Sequence, residues 1–96
     1  MNTEKIIKVL NEIKSEIRQN YKADVKGIFG SYVRSEQKKS SDVDILVEFF
    51  EGATLFDLVG LANYIEEKLK IKVDIVPVDT IREEIRENIL REAVYL

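Results

Sequence analysis

Two aspartates, Asp42 and Asp44, open the apolar run Asp-Val-Asp-Ile-Leu-Val-Glu-Phe-Phe over residues 42–50, and a third, Asp74, interrupts Lys-Val-Asp-Ile-Val-Pro-Val over 72–78. Side chains alternate along a strand, so Asp42 and Asp44 leave one face with Cα atoms about 6.6 Å apart. Two carboxylates about 5 Å apart repel by roughly 3 kcal/mol at an effective dielectric of 20, and Asp is a poor strand former. A divalent cation reverses the sign of that interaction, and carboxylate oxygens are the donors that Mg²⁺ and Mn²⁺ prefer. Neighbouring strands lie about 4.8 Å apart, so Asp74 reaches the same ion if the two acid-bearing strands pair. The competing readings are a solvated Asp42 with Asp44 paired to a lysine, and an edge-strand Asp74 facing water.

Upstream, Gly30-Ser31 follows a short apolar stretch, Val25-Lys26-Gly27-Ile28-Phe29, and ten residues separate Ser31 from Asp42. A glycine there lets a phosphate approach the backbone, and the hydroxyl can donate to its oxygen. By itself a Gly-Ser pair is an ordinary turn. Four fixed positions at this spacing would match by chance in roughly one chain of this length per thousand, which favours a phosphate-binding turn joined to a metal site. Arg34 lies where a cation can neutralise phosphate oxygens, whereas Lys39 reads equally well as part of a solvated basic loop.

The elements that must position these residues follow from periodicity. Ile6, Leu10, Ile13 and Ile17 recur at helical spacing, capped by Asn2 or Thr3, and the helix ends near Asn20. Residues 25–29 read as a strand, 32–41 as a short helical turn and basic loop, and 42–50 as a central strand, too apolar to have a wet face. Thr54 and Asp57 start a second helix through Leu58, Ala62, Ile65 and Leu69. Residues 72–78 form a third strand, with Pro77 at its end or on an edge. Thr80 and Glu83 then open a third helix whose Ile85 and Ile89 are read as core. The order α-β-β-α-β-α predicts one α/β (α+β) domain over 1–96, a small mixed sheet with helices packed on it.

Composition removes alternatives. The 96 residues contain no Cys and no His, which excludes disulfides, thiolate zinc sites, cysteine nucleophiles and imidazole bases. A net charge of −3 argues against general nucleic-acid binding. No apolar run approaches the roughly 20 residues that span a bilayer, and a cytoplasmic location is expected. A domain this small carries one site and leaves a large acceptor to be recognised elsewhere. Self-association is left open.

Gly30-Ser31-Tyr32-Val33-Arg34 followed by Ser41-Asp42-Val43-Asp44-Ile45-Leu46-Val47 resembles the signature of the polymerase-beta-type nucleotidyltransferase superfamily. The short length narrows the resemblance to the minimal nucleotidyltransferases that act as antitoxins beside HEPN-domain ribonuclease toxins. It spans roughly residues 3–96, including the Arg-Glu-Ala-Val-Tyr-Leu ending, and departs at Val33 and Ser35, where the family often has Ala and Gly. The resemblance implies that Asp42, Asp44 and Asp74 are catalytic and hold two Mg²⁺ ions, with Mn²⁺ as a substitute. It implies that Gly30, Ser31 and Arg34 bind ATP, and that AMP passes to a tyrosine hydroxyl of the HEPN toxin with release of pyrophosphate. An antitoxin that masks its toxin by contact, without turnover, is the alternative. Antibiotic nucleotidylation is less favoured, since such enzymes resemble this core plus a second domain.

Overall fold

The computed structural model describes residues 1–96. Helix α1, Thr3–Tyr21, starts where Asn2 Oδ1 accepts a hydrogen bond from the Lys5 backbone N–H at 2.9 Å, and ends where Lys22 turns into the left-handed region. The chain continues through β1 (Ala23–Phe29), β2 (Val43–Phe49), α2 (Leu55–Leu69), β3 (Val73–Pro77), a 3₁₀ turn at Val78–Thr80, α3 (Glu83–Glu92) and β4 (Val94–Tyr95).

The strands form one mixed sheet in the order β3-β2-β1-β4. β1 runs antiparallel to β2 and β4, and β2 runs parallel to β3. The 42–50 segment is therefore interior, as its apolar run requires, and Pro77 ends an edge strand, where its missing N–H leaves no ladder bond unmade. Ile6, Leu10 and Ile17 of α1 and Leu61, Ile65 and Leu69 of α2 cover one face of the sheet. They pack on Val25, Ile28, Val43, Ile45, Val47, Val73 and Ile75. A bulge between Val25 and Gly27 shifts the register of β1, which lets Val25 and Ile28, three residues apart, both face this core. Asp44, Leu46 and Glu48 alternate onto the other face.

Three expectations need correction. Thr80 does not cap α3: its hydroxyl donates to the Pro77 carbonyl at 2.8 Å, closing the 3₁₀ turn, and Arg82 occupies the cap position. Ile85 and Ile89 are not core, since α3 has no buried residue and Ile85 is 47% exposed. The helical side of the sheet is already filled by α1 and α2, so the α3 stripe has no comparable surface to enter. The expected order ended on the third helix, but a fourth strand follows it, a short one on β1 pairing Val94 with Ile28 and Tyr95 with Gly27. That strand lies so close that a Cβ on Gly27 would stand 2.3 Å from the Val94 carbonyl oxygen. No helix is long and apolar enough to cross a membrane.

Candidate active site

The parallel register of β2 and β3 places Asp44 directly beside Asp74, so both carboxylates leave the sheet on the face turned away from α1 and α2. Asp74 is exposed and Asp44 half-buried. Asp42 lies just before β2, exposed, and lines a neighbouring cavity. As the side chains stand, no three acidic groups form a cluster that could hold an ion. The convergence of all three aspartates expected on one cation is thus not formed by the side chains as they stand.

The electrostatics nevertheless fit a cation. Burial, then the negative charges of Asp74 and Asp42, push the Asp44 carboxyl up to about 6, with Glu92 adding to the rise and Arg34 opposing it. A half-buried carboxylate surrounded by acids is costly to ionise without a positive charge nearby. The oxygen-only donor set, without thiolate or imidazole, is one that magnesium and manganese accept.

The turn after β1 is built around the same carboxylate. Gly30 has φ +83°, and a Cβ at that position would fall 2.1 Å from Asp44 Oδ2. The positive φ favours glycine there, and any Cβ would force the Asp44 carboxylate to move. The Gly30 carbonyl accepts from the N–H groups of Val33 and Arg34, both at 3.1 Å, which closes one helical turn over Ser31. Ser35 leaves that turn at φ 58°, so the position where the resembling family often has Gly is a left-handed one here.

Glu92, at the end of α3, was not legible in the sequence as a site residue. Its Oε1 accepts from the Gly30 N–H at 2.9 Å and from Arg34 Nη1 at 2.7 Å, and Arg34 Nε donates to Glu36 at 2.7 Å. Arg34 is therefore engaged by two carboxylates, which raise its pKa, Glu36 first. The Glu92 contact ties the Gly30–Arg34 turn to the end of the chain. Its only sequence signal was an acid two residues before the terminal Val-Tyr strand.

The structure thus brings together a glycine turn and one of two side-by-side strand aspartates. Residues 10–96 match the nucleotidyltransferase domain, and the chain belongs to that family. It is 40% identical over its whole length to the protein adenylyltransferase MntA of Thermococcus cleftensis, covering 97% of that protein. A solved minimal nucleotidyltransferase superposes with a TM-score of 0.81 at 35% identity, covering 100% of this chain and 97% of the other. A crystal structure of a toxin-antitoxin with AMP-PNP superposes with a TM-score of 0.69 at 26% identity, covering 99% of this chain and 72% of that one.

Proposed function

We propose that this protein is an antitoxin that transfers AMP from ATP to a tyrosine hydroxyl of a cognate HEPN ribonuclease toxin in the cytoplasm. The observation that carries the reading is the in-register pairing of Asp44 with Asp74 beside a positive-φ glycine whose missing Cβ leaves room for the Asp44 carboxylate. The names of similar proteins support the acceptor class: one is a protein adenylyltransferase, and another is a toxin-antitoxin with AMP-PNP.

Asp42, Asp44 and Asp74 would hold the divalent ions. Bound there, two magnesium ions, or manganese in their place, would supply positive charge to an in-line displacement. Asp74, exposed on the edge strand, would help take the proton of the incoming hydroxyl. That hydroxyl oxygen bonds to the α-phosphorus as the bond from phosphorus to the bridging oxygen breaks, and pyrophosphate leaves. Ser31 would donate to the terminal phosphates, the side-chain-free Gly30 would let them approach the turn, and Arg34, held by Glu92, would turn its second donor edge from Glu36 toward them.

The test is incubation of the pure protein with the toxin encoded beside it, Mg²⁺ and ATP, followed by the intact mass of the toxin. Added adenylate, abolished by Asp42→Asn with Asp44→Asn, is the expected result. An unchanged toxin mass with a tight complex, or neutralisation that survives both substitutions, would establish masking by contact instead.

A further inference from the structure

A cavity of about 400 Å³ lies between the loop that ends at Asp42 and the connection from α2 to β3, and three of its lining residues are Lys39, Lys70 and Lys72. Ser40, Ser41 and Asp42 line it as well. Tyr32 and Ile71, its hydrophobic lining, pack with the helix-side core, whereas Asp44 and Asp74 face away from the helices. The cavity thus opens around the ends of β2 and β3 from the acid pair, with Asp42 between the two.

Three cations against one carboxylate is an unexpected local balance in a chain of net charge −3. None of the three lysines makes an ion pair within 4.0 Å, although acids elsewhere pair Lys14, Arg18, Lys26, Arg34, Arg82 and Arg91. The backbone beneath them is fixed. Lys70 caps α2 in the left-handed region with its N–H on the Glu66 carbonyl at 2.8 Å, and the Lys72 carbonyl accepts from the Val43 N–H at 3.0 Å. Ser41 Oγ accepts from the Lys38 N–H at 2.8 Å, which leaves the hydroxyl proton free to donate into the cavity.

We propose that this cavity is an anion site separate from the acid pair, taking a phosphate monoester or short phosphate chain without a divalent cation. Lysine ammoniums are point charges suited to phosphate oxygens, and a phosphate group carries close to two charges where a carboxylate carries one. Three ammoniums with hydroxyl donors between them match the former. The volume is at the small end of ligand pockets, the size class of a pyrophosphate or a mononucleotide phosphate. The phosphate has two candidate sources, the pyrophosphate released by nucleotidyl transfer and the phosphate of a free nucleotide.

Divalent-free conditions isolate the site, because without a cation Asp44 and Asp74 repel any polyanion. Calorimetric titration of the protein in EDTA with sodium pyrophosphate should show one saturable site. Lys70→Gln with Lys72→Gln should weaken it by about tenfold or more, and Lys39→Gln alone should weaken it in the same direction should the double variant fail to fold. Asp44→Asn and Lys5→Gln with Lys8→Gln, the latter removing equal charge from α1, should leave it unchanged. Tighter binding of pyrophosphate than of AMP would identify the released product as the source, and the reverse order a nucleotide; either supports a phosphate site. No binding in EDTA, equal weakening by the α1 pair, or preference for a glutamate-rich peptide over pyrophosphate would overturn the proposal. Loss of AMP transfer in Asp44→Asn with pyrophosphate binding intact separates this site from the proposed catalysis.

Discussion

Asp24 and Asp44 stand at opposite ends of the same pair of strands, Asp24 opposite Glu48 and Asp44 opposite Phe29, and their surroundings differ in sign. Lys26 lies 3.0 Å from Asp24, with Lys14 at 3.8 Å and Arg18 at 4.0 Å. Burial opposes ionisation there, but the Lys26 hydrogen bond and the three cations outweigh it, so the carboxyl is held below its usual range. At Asp44 burial and the charges of Asp74, Asp42 and Glu92 raise it, and Arg34 alone opposes them without prevailing. A carboxylate that stabilises a fold is supplied with cations by the chain itself. One left mainly among other acids, with Arg34 the sole opposing charge, stays costly to ionise.

Substituting the second carboxylate separates these roles most strongly. Asp44→Asn is expected to lower AMP transfer by about 100-fold or more, since several kcal/mol of charge stabilisation are lost. In EDTA the same variant should be more stable than the parent by about 1–2 kcal/mol at pH 7, because a repelled charge is gone. Urea unfolding measures the second effect, and a destabilised variant would show that Asp44 is already compensated within the chain. Asp24→Asn should behave in the opposite way, losing about 1–2 kcal/mol through unpaired cations while transfer activity persists.

The pH profile extends the same comparison. A carboxyl raised to about 6 in the folded state, from 3.8, penalises folding above pH 6, and the penalty is relieved as pH falls toward 3.8. The metal-free protein should therefore gain stability relative to Asp44→Asn between about pH 7 and pH 4. Asp24 is lowered from 3.8, so its contribution is present above that value and is lost as pH falls through its folded pKa. The advantage over Asp24→Asn should shrink only below about pH 4. Parallel profiles for the two variants would refute the contrast.

Smaller effects refine it. Glu92→Ala frees the Gly30 turn and Arg34 and should reduce transfer about tenfold through misplacement of the phosphate-binding turn. Glu92→Gln, which keeps an oxygen for the Gly30 N–H, should restore much of that loss. Ser35→Gly should raise stability by only about 0.5–1 kcal/mol, since relief of a left-handed residue is partly offset by added freedom of the unfolded chain. It should leave the titration of both aspartates unchanged.

The sequence disclosed what depends on local period. Asp44 and Ile45 had to face opposite ways in a strand, and Ile6, Leu10 and Ile17 had to share a helix face, because those spacings are set by backbone geometry. The placement of Asp74 was legible only on the condition that its strand paired with 42–50, and the parallel register meets that condition. Glu92 was hidden, since it reaches Gly30 across 62 residues through a strand only two residues long. Lys70 and Lys72 were unread for a similar reason: a helix cap and a strand start meet the basic loop only in three dimensions. Ile85 misled because a helical stripe shows which way a helix would bury itself, not whether a surface is available.

Gly27 has no side chain and takes no part in any chemistry considered above, yet β4 rests on it, with the Val94 carbonyl filling the space a Cβ would need. Val94 is two residues beyond Glu92, so lifting the terminal strand would withdraw the carboxylate from Gly30 and Arg34. In a genetic screen, an alanine at position 27 would then resemble an active-site lesion in a protein whose core remains assembled. A position outside the candidate site would thus govern the Gly30–Arg34 turn.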